Sequence, residues 1–86
     1  MTIIDVRTYH EFMGGHVVDS KNIPLIDLHK WVEEIKLFQA PIVCCCSNGN
    51  RSQQAADFLI KNGIDASNGG SWLQVNNLVV NQQESL

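Results

Sequence analysis

The sequence has no stretch that could cross a membrane, since no apolar run approaches the roughly 20 residues that a spanning helix needs. Asp5 and Arg7 also come too early for the apolar segment of a signal peptide. We therefore expect no membrane contact and a cytoplasmic location, or a periplasmic one if a signal segment was removed before Met1.

Positive charge is scarce as well. Six Lys and Arg stand against nine Asp and Glu, which gives a formal net charge of −3. This balance argues against binding to nucleic acid or to anionic lipid. An anion that this protein binds must therefore be held by local groups rather than by an overall positive field.

The sequence contains neither a disulfide framework nor a metal-binding motif. Its three cysteines are consecutive, Cys44 to Cys46, and neighbours on an extended strand point to opposite faces. No C-x-x-C pair occurs, and the three histidines are scattered along the chain. A chain of 86 residues also leaves little room for a large embedded group. We predict free thiols, no metal and no cofactor.

The chain is expected to form one α/β domain, because 86 residues at 44% hydrophobic content support a single core. Strands are predicted at residues 3–6, 21–24, 41–46 and 64–68, with the third in the centre of the sheet. Helices are predicted after a Thr8–Glu11 capping box and at residues 27–38, 51–62 and 71–79. This alternation predicts a small parallel sheet with helices on both faces.

The sequence also predicts where the elements begin and end. The long amphipathic helix at 27–38 begins at an Asp27 cap and carries Leu28, Trp31 and Ile35 on one apolar stripe. Glycines 69 and 70 are predicted to form a turn, and residues 81–86 a polar C-terminal tail beyond a domain of residues 1–80.

Cys46 is the residue around which chemistry is expected. It ends the central strand, and a short loop leads from it into the helix that begins at Arg51 and Ser52. Backbone N–H groups of such a loop and the positive end of the helix dipole favour a thiolate, which is the nucleophilic form of cysteine. Gly49 suits a left-handed loop position, and Arg51 supplies a fixed positive charge. The alternative is that Cys46 is a small buried residue and Arg51 points into water.

An ordered series of short motifs resembles the rhodanese-like sulfurtransferase domain. The motifs are IIDVR at residues 3–7, EF at 11–12, GHV at 15–17, NIPL at 22–25, IV at 42–43, CSNGNRS at 46–52, AA at 55–56, Gly63, and GG at 69–70. The chain resembles the shortest stand-alone members, which lack the usual first strand and helix.

The resemblance implies that Cys46 is a catalytic nucleophile that carries a persulfide. It also implies a substrate-binding loop made of Ser47, Asn48, Gly49, Asn50, Arg51 and Ser52. Four residues separate Cys46 from Arg51, whereas phosphatases that share this fold have five and therefore a wider loop. The shorter loop is similar to that of sulfurtransferases, so a phosphatase or arsenate reductase is the weakest alternative.

The expected activity is transfer of sulfane sulfur from a small anionic donor such as thiosulfate to cyanide or a thiol, through a persulfide on Cys46. The alternative is a persulfide carrier that exchanges sulfur with protein donors or acceptors. The absence of charge from residues 47–50 favours the carrier, because only Arg51 and backbone amides would then attract a dianion.

Two interpretations are open for several residues near Cys46 or in the first strand and helix. Asp5, Arg7 and Glu11 belong either to the scaffold or to the wall of the site, and the four-residue spacing of Arg7 and Glu11 predicts an ion pair between them. Cys44 and Cys45 are either core residues or resolving thiols for Cys46. His16 is expected to fix a turn, with a catalytic role as the alternative.

Overall fold

The computed structural model describes residues 1–84 of the chain and contains a four-stranded parallel sheet with helices on both sides. The elements in chain order are β1 (Thr2–Asp5), α1 (Tyr9–Met13), β2 (Lys21–Asn22), a 3₁₀ helix (Leu25–Trp31), α2 (Val32–Ile35), β3 (Ile42–Cys46), α3 (Asn50–Lys61), β4 (Ala66–Ser71) and α4 (Trp72–Glu84). The predicted α/β fold with a parallel sheet is confirmed.

The strands lie in the order β2-β1-β3-β4, so β3 is an interior strand with a neighbour on either side. Its side chains alternate between two cores, as the two-residue period of a strand requires. Cys44 and Cys46 pack with Leu28, Ile35 and Leu59 from the 3₁₀ helix, α2 and α3. On the opposite face, Cys45 packs with Val17 and Val75, the latter from α4. Because all four strands are parallel, their carboxyl ends lie at the same edge of the sheet, and Cys46 is at that edge.

The helix predicted at residues 27–38 is a 3₁₀ helix of seven residues followed by a single α-helical turn. It begins after Pro24, one turn earlier than the Asp27 cap predicts. The 3₁₀ helix has three residues per turn, which places Leu25 and Leu28 on its inner side. Trp31, predicted in the apolar stripe, is instead 44% exposed.

Glycines 69 and 70 do not form a turn but belong to β4. Asn68 pairs with Cys44 and Gly70 with Cys45, so Gly69 is an extra residue that forms a β-bulge. A Cβ atom on Gly69 would lie 2.7 Å from Val43 Cγ1 and from Val75 Cγ2, so the close packing of β4 on β3 and α4 requires glycine here.

The last helix continues past Val79 to Glu84. Residues 81–84 of the predicted polar tail are therefore helical, and residues 85 and 86 lie outside the described part of the chain. The capping box that begins α1 is confirmed, because the Thr8 side chain accepts from the Glu11 N–H and the Glu11 side chain accepts from the Thr8 N–H.

Candidate active site

Cys46 lies at the carboxyl end of β3 with its sulfur enclosed by the loop that follows. The Gly49 N–H donates to Sγ at 3.1 Å and the Ser52 N–H at 3.4 Å. The Ser52 hydroxyl oxygen lies 3.3 Å from Sγ. Gly49 has a φ of 90°, the left-handed conformation predicted for it. The arrangement is a small ring of donors around one thiol.

These donors change the acidity of the Cys46 thiol. Burial by itself would raise its pKa, because a thiolate loses hydration inside the protein. In the thiolate, hydrogen bonds from the Ser52 side chain and from the backbone N–H groups of Ser52, Asn48 and Gly49 outweigh burial, so the pKa of Cys46 lies below its ordinary value. Cys46 is thus a thiol for which the surroundings favour the nucleophilic form.

The surroundings of Cys44 and Cys45 favour the thiol rather than the thiolate. Both are fully buried, and burial raises the pKa of each thiol to about 12. Cys44 lies on the same face of β3 as Cys46, and Cys45 lies on the other face. These positions support the interpretation of both as core residues, because a thiol with so high a pKa is a poor nucleophile at neutral pH.

The remaining predicted loop residues shape the loop. Asn48 Oδ1 accepts from the Asn50 N–H at 3.0 Å, and it lies 3.9 Å from the Cys46 sulfur. Ser47 Oγ accepts from Arg51 Nη2 at 3.0 Å. Asn50 is already the first residue of α3. Of the six predicted loop residues, therefore, Gly49 and Ser52 have the shortest contacts with the sulfur.

Arg51 forms an ion pair with Glu11. Its Nη1 and Nη2 atoms donate to the two carboxylate oxygens of Glu11 at 2.7 and 3.0 Å. The ion pair predicted between Arg7 and Glu11 is therefore wrong: Glu11 pairs with Arg51, which is 40 residues away, and ties α1 to the loop. The sequence gives no local signal for a contact at this separation.

Arg7 pairs instead with Asp5. The two side chains are joined by hydrogen bonds of 2.8 to 3.1 Å, and the Asp5 carboxylate is completely buried. Arg7 also donates to the Gly15 carbonyl, and its guanidinium lies 4.9 Å from the centre of the Trp72 ring. Since this cluster joins β1 to the turn after α1 and to α4, we interpret Asp5 and Arg7 as scaffold.

His16 fixes the turn after α1. Its Nδ1 lies 2.7 Å from the Phe12 carbonyl oxygen, and its ring stacks on that of Phe12 at a centroid distance of 3.7 Å. These contacts support the expected structural role.

Asn68 of β4 was missed by the sequence reasoning, which treated it only as the residue before a turn. Its amide bonds to Ser52, Gly49, Gly70 and Gln53, and therefore to both groups that flank the sulfur. The signal that could have found it is topological: β4 pairs with β3, so a polar side chain on β4 lies beside the strand and loop that carry Cys46.

A pocket of ≈ 270 Å³ opens beside Arg51, at the edge where β1 ends. Its walls are Val6, Thr8, Pro24, Leu25, Ile26 and Arg51.

No helix within residues 1–84 is long and apolar enough to span a membrane. The same residues contain no group of three or more His, Cys, Asp or Glu side chains arranged to hold a metal ion.

The fold and the loop define a class of protein: small parallel α/β domains with a cysteine at the carboxyl end of an interior strand and a helix directly after it. The chain matches the rhodanese-like domain family over residues 1–77 and belongs to that family.

Relatives of known sequence are consistent with this assignment. The chain is 44% identical over 61 residues to the uncharacterised protein YqhL of Bacillus subtilis, covering 71% of this chain and 48% of that protein. It is 36% identical over 62 residues to the thiosulfate sulfurtransferase GlpE of Pseudomonas fluorescens, covering 72% of this chain and 56% of GlpE. The chain thus spans about half the length of these curated relatives.

Solved structures give the same result. A rhodanese-related protein from Thermoplasma volcanium superposes with a TM-score of 0.71 at 30% identity, covering 87% of this chain and 74% of that one. The reduced CoADR-RHD protein of Bacillus anthracis gives a TM-score of 0.76 at 30% identity, over 93% of this chain and 14% of that much longer chain.

Proposed function

We propose that the protein is a sulfurtransferase that moves sulfane sulfur from an anionic donor such as thiosulfate to cyanide or a thiol, through a persulfide on Cys46. The observation that carries the proposal is the ring of donors around Sγ, which lowers the pKa of the Cys46 thiol although the residue is buried. Membership of the rhodanese-like family and the similarity to GlpE support it.

The proposed reaction is a double displacement. The Cys46 thiolate attacks the outer sulfur of thiosulfate, a bond forms between the two sulfurs, and sulfite leaves with the electron pair of the bond that breaks. Cyanide then attacks the terminal sulfur of the persulfide, thiocyanate forms, and the electron pair returns to Cys46 as thiolate. Charge and atoms balance in both steps without a cofactor.

The loop amides have a specific task in this reaction. After the first step the terminal sulfur of the persulfide carries negative charge, and fixed N–H donors around it stabilise that charge without rearrangement. Because Cys46 has no exposed surface, the donor must displace the groups that cover Sγ before it reacts. The pocket beside Arg51 offers space for the donor or acceptor next to the loop.

Mass spectrometry of the protein after incubation with thiosulfate tests the proposal. We expect the mass to rise by one sulfur atom, located on the peptide that contains Cys46, and to return to its original value after cyanide is added. Thiocyanate release measured in parallel gives the rate. Absence of the added sulfur, with the protein folded, would contradict sulfur transfer from thiosulfate and leave the persulfide carrier, loaded by a protein donor, as the remaining candidate.

The persulfide carrier remains a second candidate because of one contact. The Arg51 guanidinium, which would attract thiosulfate, is already paired with Glu11 through two hydrogen bonds. A carrier would accept sulfur on Cys46 from a protein persulfide but turn over thiosulfate slowly. Loading of Cys46 by a protein that carries a persulfide, compared with loading by thiosulfate, distinguishes the two functions.

A further inference from the structure

The Asn68 amide uses its full hydrogen-bonding capacity at the edge of the cysteine loop. Oδ1 accepts from the Ser52 hydroxyl at 2.6 Å and from the Gly70 N–H at 2.9 Å. Nδ2 donates to the Gly49 carbonyl at 3.0 Å and to Gln53 Oε1 at 3.1 Å. An asparagine side chain has two donors and two principal acceptor positions, so this one has no unused group.

Two backbone groups fix the orientation of this amide. The Gly70 N–H can only donate, so it must face Oδ1, and the Gly49 carbonyl can only accept, so it must face Nδ2. A flipped amide would place donor against donor and acceptor against acceptor. The atom that lies 2.6 Å from Ser52 Oγ is therefore an acceptor, and the Ser52 hydroxyl proton points to it.

This orientation has a consequence for Cys46, because a serine hydroxyl has one proton. With that proton on the Asn68 side, Ser52 Oγ presents lone pairs to Sγ, 3.3 Å away. That arrangement suits a neutral thiol, whose S–H can donate to Oγ. It does not suit a thiolate, which needs the proton of the hydroxyl for itself.

We propose that Asn68 is a positioning residue that competes with the Cys46 thiolate for the Ser52 hydroxyl proton. The hydroxyl points to Asn68 when Cys46 is a thiol and rotates to Sγ when Cys46 is a thiolate, with no proton exchanged between residues. The inference rests on the proposed function only in that it takes Cys46 as the nucleophile. Asn68 thus sets how readily the nucleophile ionises.

Other charged and titratable groups near Cys46 are unchanged by substitution of Asn68. Arg51 of α3 is paired with Glu11 of α1, and Cys44 and Cys45 of β3 are buried thiols. Asp5, at the end of β1, is paired with Arg7. The groups that link Asn68 to the sulfur are neutral, so substitution of Asn68 by alanine changes hydrogen bonding without changing charge.

The test is a pH titration of the Cys46 thiolate by its ultraviolet absorbance, with the Cys46→Ser variant as the blank. Four proteins are compared: wild type, Asn68→Ala, Ser52→Ala and the double variant. We expect Asn68→Ala to lower the midpoint pH by about 0.5 to 1, the effect of one redirected hydrogen bond. In the Ser52→Ala background the same substitution should not lower the midpoint.

If Asn68 had a purely structural role, its substitution would raise the midpoint pH of the Cys46 titration instead of lowering it. Loss of the bond to the Gly49 carbonyl would loosen the loop and move the Gly49 N–H away from Sγ, which raises the midpoint in both backgrounds. A raised midpoint in Asn68→Ala, or an equal change with and without Ser52, would overturn the inference. If the alanine variant does not fold by circular dichroism, Asn68→Val, which suits a strand, must show the same pattern.

The titration also separates this inference from the proposed function. A wild-type midpoint at or above the ~8.5 of a free cysteine would count against Cys46 as an activated nucleophile, and the inference would fail with it. A wild-type midpoint below that value, together with no decrease in Asn68→Ala, would overturn the role of Asn68 alone.

Discussion

Arg51 and Glu11 form a two-bond ion pair between the cysteine loop and α1, with N···O distances of 2.7 and 3.0 Å. Their side chains are 32% and 36% exposed, so a dissolved anion can compete for the guanidinium. The same pair lowers the pKa of Glu11 to about 2, chiefly through the Arg51 hydrogen bonds. The proposed capture of an anionic donor by Arg51 therefore competes with the Glu11 carboxylate.

The first prediction is that Glu11→Gln improves the use of thiosulfate. Loss of the carboxylate charge frees the Arg51 guanidinium, while glutamine keeps the helix cap with Thr8. We expect KM for thiosulfate to fall about threefold to tenfold, the equivalent of roughly 1 kcal/mol for a partly exposed charge, with kcat little changed. Arg51→Ala should raise KM.

Steady-state thiosulfate:cyanide kinetics make this measurement. Glu34→Gln, which removes a charge from an exposed position on α2, is the matched control and should leave KM unchanged. A fall in kcat at constant KM in Arg51→Ala would indicate instead that the guanidinium maintains the loop shape.

The second prediction concerns acid stability. The pKa of Glu11 is lower in the folded protein, about 2, than its ordinary value of 4.5. The ion pair therefore stabilises the fold above pH 4.5, and this contribution is lost as the pH falls from 4.5 towards 2. Urea unfolding across this range should show that the free energy of unfolding declines by about 0.2–1 kcal/mol. This decline should be smaller in Glu11→Gln. An unchanged decline in the variant would contradict the assignment.

The third prediction is a large cost for breaking the pair of Asp5 and Arg7. Asp5→Asn leaves Arg7, a residue that is 4% exposed, without a counter-charge for its guanidinium. We expect a loss of about 3–5 kcal/mol in unfolding free energy, measured by urea denaturation. The double variant Asp5→Leu/Arg7→Met, which removes both charges, should be less destabilised than Asp5→Asn. If the double variant is the less stable of the two, the charges are not the cause.

The fourth prediction compares two glycines. Gly69→Ala places a Cβ atom 2.7 Å from Val43 and Val75, and we expect a loss of about 1–3 kcal/mol. A Cβ atom at Gly63 would have no neighbour within 4 Å, so Gly63→Ala is strained only by the left-handed φ of 78°. We expect it to lower the free energy of unfolding by about 1 kcal/mol. Val75→Ala should partly rescue Gly69→Ala and should not rescue Gly63→Ala, as measured by thermal unfolding.

The fifth prediction concerns the nucleophile. Cys46→Ser should abolish sulfur loading, because a hydroxyl of similar size is a far weaker nucleophile at neutral pH. Cys44→Ser, two residues earlier on the same strand face, is the matched control and should still be loaded. Mass spectrometry reads both, with circular dichroism as the test of folding. Equal loss in the two variants would remove the distinction between Cys46 and its neighbour.

The sequence predicted the features that depend on local pattern. The apolar run at residues 41–46 indicated an interior strand, and the Thr8–Glu11 spacing indicated a capping box, both of which the structure contains. The strand-loop-helix order also placed Cys46 beside a helix N-terminus. Each of these features is determined by residues close together in the chain.

The errors have a common physical cause, which is contact between distant residues. Glu11 pairs with Arg51 rather than with Arg7 because α1 and the cysteine loop meet at one edge of the sheet. Asn68 reaches Ser52 because β4 pairs with β3. In the 3₁₀ helix that replaces the predicted α-helix, Leu25 and Leu28, three residues apart, both pack in the core that includes Ile4 and Cys44 of the sheet. None of these contacts is visible in a local pattern.

The bulge at Gly69 also affects how the molecule meets other copies of itself. β4 has a neighbour on one side only, so its outer row of N–H and C=O groups resembles a template on which another chain could add a strand. The extra residue breaks the regular spacing of that row, and the opposite edge, β2, is only two residues long. Both edge strands are therefore poor templates for edge-to-edge aggregation. Gly69, which permits close packing inside the domain, also disfavours strand pairing between two copies of the domain.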